Sequence, residues 1–215
     1  MALALALVLA YLIGAFPSSV ALGRAVRGID VRQHGSGNAG ATNAWRVLGW
    51  RLGVAVLVLD IAKGAFATYG IPRIPFPLGP TPVDGVTVAV LCGIVAVVGH
   101  VFPVYIGFRG GKGVATAAGM LVALVPIPVA IALGIFAVAV VTSGWVSLGS
   151  LLGAWAVPIA ALCLRGEPHP PLVVALTFVL ALLITYTHRA NIRRLIAGTE
   201  HAFPSLQFWR RLLPR

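Results

Sequence analysis

Apolar residues run through this chain in long blocks, broken by short clusters of polar, glycine and proline residues. The blocks have the lengths that cross a lipid bilayer as helices. Spans are predicted at 1–23, 51–71, 85–105, 114–125, 127–141, 145–164 and 172–187. The stretch 114–164 carries no charged residue, and Pro126, Pro128 and the run from Thr142 to Gly144 divide it into three short helices. Five prolines between Pro72 and Pro82 predict a loop, and Arg165 to Pro171 a polar turn. The first block is uncharged and lacks a basic segment ahead of it, so it reads as an anchor rather than a signal peptide.

Charge sets the orientation. Arg24, Arg27, Arg32, Arg46, Arg109, Lys112, Arg189, Arg193 and Arg194 fall in alternate loops, on one face of the predicted bundle. The other face holds Arg73 and Arg165, each with an acidic neighbour. The positive-inside rule puts the N-terminus outside and the C-terminus in the cytoplasm. The expected architecture is an all-α integral membrane protein, a seven-transmembrane-helix bundle forming one domain over 1–215.

Composition agrees: 59% of the 215 residues are hydrophobic and 10% charged, against about 25% charged in soluble domains. Mean hydropathy is +0.98. A net charge of +11 would suit nucleic acid, but the basic residues sit in short clusters between apolar blocks and leave no soluble domain to carry that role. Cys92 and Cys163 lie inside apolar runs without CxxC spacing and read as packing residues.

Three polar stretches fall on the predicted cytoplasmic face. In HGSGNAGATNAWR, from His34 to Arg46, Gly35, Gly37 and Gly40 allow close backbone approach to a ligand. Ser36, Asn38, Thr42 and Asn43 offer polar donors there, successive N–H groups can form an anion nest, and Arg46 adds a charged fork. In GHVFPVYIGFRGGKGVAT, from Gly99 to Thr116, Gly110, Gly111 and Gly113 surround Lys112 as a second anion site. It is not a Walker A loop: the spacing from Gly107 is one residue short, and Gly113 stands where Ser or Thr is required. His100 alone reads as a buried histidine. In HRANIRRLIAGTE, from His188 to Glu200, His188 and Asn191 share a helix face.

Inside the spans, Asp60 and Lys63 form an i, i+3 pair, read as either functional or a structural ion pair. Ser147 and Ser150 serve either as interhelical glue or as cavity lining. The cytoplasmic stretches hold only Asp30 and Glu200 as carboxylates, which argues against a metal site and against magnesium-dependent phosphoryl transfer. Convergent cations and glycines beside an apolar bundle point to lipid phosphate chemistry. An organic-anion transporter is the rival, but no repeated half with matched broken helices is visible.

The segments SGNAGATNAWR (36–46), DIAKG (60–64), GHVFPVYIGFRGGKGVAT (99–116) and HRANIRRLIAGTE (188–200) resemble the signatures of the bacterial acyl-phosphate:glycerol-3-phosphate acyltransferases. The likeness spans essentially the whole chain, in order, with every polar signature residue present. It implies an inner-membrane enzyme that moves an acyl group from acyl phosphate to the sn-1 hydroxyl of glycerol 3-phosphate. Lysophosphatidic acid and inorganic phosphate would be released, without a cofactor. On that basis Ser36, Gly37 and Asn38 are expected at the acyl-phosphate head and Lys112 between the two phosphates. Arg46, Asn191 and Ser147 are expected at glycerol 3-phosphate. His188 is either the general base or an orienting donor. Glu200 counts among the substrate-side residues, but its carboxylate would repel an anion, so its expected task is to tie down the segment. The aromatic, basic tail with Phe203, Phe208, Trp209, Arg210, Arg211 and Arg215 suits anionic lipid, or contact with the soluble enzyme that forms acyl phosphate.

Overall fold

The computed structural model describes residues 2–75, 83–164, 169–203 and 207, which contain helices and no strand. Most of the proline-rich loop, the turn at 165–168 and the tail from Phe208 lie outside the described residues. The chain forms two compact units, 1–124 and 125–215.

The first unit holds α1 (Ala2–Ala15), α2 (Ser18–Arg27), α3 (Ala41–Leu48), α4 (Trp50–Ala65), α5 (Gly85–Val101) and α6 (Val114–Val122). The first predicted span is not one helix. Pro17 cannot donate a backbone hydrogen bond, and the chain bends by 43° there between α1 and α2. Gly28, at φ +66, closes α2 by donating to the Arg24 carbonyl at 3.1 Å. Helix α4 continues through a π turn at Phe66–Gly70 and a 3-10 turn at Ile71–Arg73, so the helical stretch Trp50–Arg73 is 24 residues long.

Small residues bring these helices together. A methyl group at Gly14 would fall on the Ala96 backbone, and one at Gly99 on the Tyr11 carbonyl, so α1 and α5 meet almost backbone to backbone. Gly64 against Thr116 and Gly119 against Ile61 do the same for α4 and α6. Cys92 is buried in a core with Ala6, Ala10, Ile71, Val88 and Ala96. Cys163, also expected to be a packing residue, is instead exposed. Gly119→Ala should lower stability by about 1–3 kcal/mol through overpacking. Gly134→Ala, where nothing lies within 4 Å, should be neutral or slightly stabilising; thermal midpoints in detergent check both.

The second unit holds α7 (Pro126–Ser143), α8 (Val146–Cys163), α9 (Pro171–Thr187) and α10 (Arg189–Ile196). Its hairpins pack α7 on α8 and α8 on α9. Proline opens α7, and Gly144, at φ +77, ends it. Large apolar side chains such as Ile131, Leu133, Val138, Leu162 and Leu182 face outward, as on helices solvated by lipid.

Four helical stretches are long and apolar enough to cross a membrane, or six with the bent pairs α1–α2 and α9–α10 each counted as one span. The remaining predicted span is α6. Its 9 residues extend about 14 Å at 1.5 Å per residue, which is short of a hydrocarbon core.

Candidate active site

The first polar loop is built from its own side chains. Asp30 accepts from the Arg32 backbone N–H at 3.0 Å and from the Arg32 guanidinium at 2.7 Å, capping the single turn Val31–Gln33. The Arg32 hydrogen bond outweighs partial burial and holds the Asp30 pKa at about 2. Because the folded value is depressed, the stabilisation is full above the ordinary 3.8 and is lost as pH falls from there through about 2. Arg32 also donates to the Ile106 carbonyl at 2.7 Å, tying the first loop to the second.

Asn43, read from sequence as a donor toward ligand, is buried, and its amide is turned into the loop. Its Nδ2 donates to the carbonyls of Val31 (2.8 Å) and His34 (3.1 Å), and its Oδ1 accepts from the Ser36 N–H (2.8 Å). The Gly37 N–H donates to the His34 carbonyl at 3.1 Å. The nest expected from the Ser36 and Gly37 backbone is therefore spent inside the loop. Gly35 (φ +61) and Gly37 (φ +72) make the turns this needs, and any side chain at Gly35 would strike Asn43. Ser36 is left exposed, with Asn38 half-buried beside it.

Gly40 then enters α3 with no side-chain cap. Thr42 lies in its first turn and Arg46 in its last, both half-buried. Gly113, at φ +86, likewise enters α6 with no side-chain cap, directly after the half-buried Lys112. Each glycine-rich loop thus leads into a helix start whose first N–H groups no cap residue satisfies, an arrangement that holds anions well.

Gly110 and Gly111 are needed for a different reason. Neither has positive φ. Their N–H groups donate to the carbonyls of Val101 and His100, each at 3.1 Å. A methyl at Gly110 would fall on the His100 carbonyl, and one at Gly111 on His100 Nε2. Ala39 from the first loop and Gly110 and Gly111 from the second line one small recess, whose polar lining includes Ser18, Asp60, Lys63 and His100. Sequence reasoning set His100 aside and missed Ser18; the one available signal was the Pro17-Ser18-Ser19 interruption of an apolar run.

In the second unit, His188 sits at a bend of 62° between α9 and α10 and is 3% exposed. Its Nδ1 lies 2.8 Å from the Ile184 carbonyl and must donate to it, which in the neutral ring places the lone pair on Nε2. Glu200 Oε1 accepts from Ser147 Oγ at 3.0 Å and from Asn191 Nδ2 at 2.7 Å, and Oε2 accepts from Arg194 at 2.7 Å. Burial pushes the Glu200 carboxyl up, but the hydrogen bonds from Asn191, Arg194 and Ser147 together hold it below its ordinary range. Ser150 donates to the Val146 carbonyl of its own helix at 2.9 Å. Among the described residues, no cluster of three or more His, Cys, Asp or Glu side chains is placed to hold a metal.

A family model described as glycerol-3-phosphate acyltransferase matches residues 4–198. Curated relatives of that name include one from Chlorobaculum tepidum, 43% identical, with 91% of this chain and 94% of the relative aligned. One from Chlorobium phaeobacteroides is 44% identical over the same shares. Crystal structures of PlsY (YgiH), described as an integral membrane glycerol 3-phosphate acyltransferase, are also similar. The glycerol 3-phosphate form has a TM-score of 0.81 at 32% identity, covering 97% of this chain and 98% of that one. The lysophosphatidic acid form has a TM-score of 0.77 at 31% identity, covering 96% and 98%. With the family model running through both units and relatives matched over nine-tenths of its length, this chain is a multi-pass membrane protein belonging to the glycerol-3-phosphate acyltransferase family.

Proposed function

We propose that the whole chain serves one reaction, transfer of a fatty acyl group from acyl phosphate to the sn-1 hydroxyl of glycerol 3-phosphate at the cytoplasmic face of the bacterial inner membrane. The observation that carries this reading is the pair of helix starts, α3 and α6, each entered through a glycine without a side-chain cap. They suit two phosphate groups, with Lys112 and Arg46 supplying charge. The names and bound molecules of the family's relatives supply the substrate class.

Acyl phosphate is a mixed anhydride with a good leaving group, so the main work is to hold two anions together and aim the hydroxyl at the carbonyl carbon. In this reading Ser36 Oγ, Asn38 and the N–H groups opening α3 take the acyl-phosphate head, and Gly37, whose own N–H is held by the His34 carbonyl, makes the turn that presents them. Lys112, between Gly111 and Gly113, offsets the repulsion of the two phosphates. Arg46 meets the phosphate of glycerol 3-phosphate. Ser147 and Asn191 each have a donor committed to Glu200, and their oxygen lone pairs accept from the glycerol hydroxyls. His188 Nε2 takes the proton of the sn-1 hydroxyl as its oxygen bonds to the carbonyl carbon. The tetrahedral intermediate then expels phosphate, leaving an ester, and backbone N–H groups at the helix starts stabilise its oxyanion. Transfer is direct in this reading, because among the described residues no base is hydrogen-bonded to Ser36 Oγ to make it a nucleophile.

The charge distribution supports an N-terminus outside and a C-terminus inside. It also supports a seven-helix count in which α6 is the short member. The basic tail is assigned to anionic lipid, with the soluble acyl-phosphate-forming enzyme as a further partner.

Purified protein given palmitoyl phosphate should release phosphate only when glycerol 3-phosphate is present, with lysophosphatidic acid formed in equal amount. Ser36→Ala and Lys112→Ala should each lower turnover about 100-fold, the size of one lost transition-state donor. A folded sample that makes no lipid product, yet loads labelled phosphate compounds into liposomes, would show a transporter instead.

A further inference from the structure

Within the first unit, an ionic cluster lies beneath the second glycine-rich loop, and the reaction above makes no use of it. Asp60 Oδ1 accepts from Ser18 Oγ at 2.9 Å, lies 2.9 Å from Lys63 Nζ, and is 3.7 Å from His100 Nδ1. Lys63 also donates to the Phe16 carbonyl at 3.0 Å, using an acceptor freed by the break at Pro17. Ser18 and Asp60 are each 2% exposed, His100 7% and Lys63 8%. Ionisable groups inside an apolar bundle are costly, so a cluster of this kind implies a task that a hydrocarbon core would not perform.

The far side of the imidazole indicates that task. One edge of His100 faces Asp60. The other edge, Nε2, lies so close under Gly111 that no side chain fits there. The His100 carbonyl accepts the Gly111 N–H and lies against Gly110. Gly110 and Gly111 therefore owe their identity to close approach to His100, and the next residue is Lys112.

We propose that His100, oriented by Asp60, is the positioning residue of the Lys112 loop. The ring fixes the height and register at which Gly111 crosses it, and so where the Lys112 ammonium is presented. Ser18 and Lys63 hold the carboxylate that holds the ring. This rests on the reading that Lys112 acts on substrate phosphate. It adds the element that places that lysine.

The test uses the full-length chain in detergent, read by glycerol-3-phosphate-dependent phosphate release and by the rate of tryptic cleavage at Arg109 and Lys112. Gly111→Ala drives a methyl into Nε2 and should lower kcat/KM at least about 30-fold, in line with the cost of small misplacements in an active site. His100→Asn keeps a donor toward Asp60 but withdraws the Nε2 edge. It should cost about 10-fold and speed cleavage of the loop. In the double variant the methyl enters the vacated space, so Gly111→Ala should cost less than about 3-fold on the His100→Asn background. Equal cost of Gly111→Ala on both backgrounds would overturn the proposal, as would His100→Asn protein with wild-type turnover and cleavage. A purely structural histidine would lower the thermal midpoint while leaving kcat/KM per folded molecule unchanged. Wild-type protein that forms no lipid product would refute the acyltransferase reading instead, and cleavage rates of the same four proteins would still report whether His100 registers the loop.

Discussion

Glu200→Ala should lower turnover at least about 100-fold and destabilise the second unit by about 3–5 kcal/mol. The magnitude follows from what the carboxylate holds: Ser147 on α8, Asn191 on α10 and the Arg194 guanidinium. Its side chain is only 3% exposed. A hydrogen bond to a charged group is worth about 1.5–3 kcal/mol, and donors left buried without an acceptor add their desolvation penalty. Activity falls with stability, because Ser147 and Asn191 are the groups assigned to the glycerol hydroxyls, and their rotamers are set by Glu200. Glu200→Gln, which keeps the shape and one acceptor oxygen, should retain more of both. The pH dependence has a definite sign. The folded-state pKa of Glu200 lies below its ordinary 4.5, so its stabilisation is complete above that value and disappears as pH falls below it through the lowered pKa. Thermal midpoints should therefore owe nothing to this titration above 4.5 and, as pH is lowered below 4.5, drop in wild type more than in Glu200→Gln. An alanine variant with normal midpoint and turnover would remove Glu200 from the site.

The elements that sequence reasoning found best are those bounded by residues whose backbone chemistry admits little else. Pro126 and Gly144 mark the ends of α7, and the predicted 127–141 differs from the observed helix by only one or two residues at each end. The helix 145–164 was equally plain as α8. The first span was misread because an uncharged apolar run hides the break that Pro17 imposes. The short helix expected at 114–125 is present as α6 but stops at Val122, because hydropathy reports apolarity and not where a helix stops; Ala123 and Leu124 are as apolar as the helix before them.

The site divides along a similar line. Polar clusters and the Asp60–Lys63 spacing are local features and could be read directly. Which polar group faces a ligand and which is spent on the scaffold is decided by partners far along the chain. Asn43 looked like a ligand donor because its acceptors, Val31 and His34, are set by a turn that only the folded loop reveals. Ser18 reaches Asp60 across 42 residues, and Ser147 reaches Glu200 across 53. Gly110 and Gly111 read from sequence as the surroundings of an anion site, whereas the fold shows them as contact surfaces for His100. Glycine chosen for close approach and glycine chosen for φ are indistinguishable until a neighbour is in place.

Asp60→Ala should destabilise the first unit by about 3–5 kcal/mol, the usual cost of leaving one partner of a buried ion pair uncompensated. Lys63 would retain the Phe16 carbonyl, but a carbonyl does not neutralise an ammonium at 8% exposure. The informative variant changes both charges. Asp60→Leu with Lys63→Met replaces the pair by apolar side chains of similar volume, an exchange that is often neutral or stabilising by about 1–4 kcal/mol. If the pair only braced α4 against its neighbours, this protein would melt at or above the wild-type midpoint and turn over normally. If the carboxylate orients His100, stability should return while kcat/KM stays at least about 10-fold down, because nothing then holds the imidazole beneath Gly111. Recovery of stability without recovery of turnover is the expected result. It follows from geometry in which one oxygen, Asp60 Oδ1, serves three partners, of which two concern packing and the third leads to Lys112.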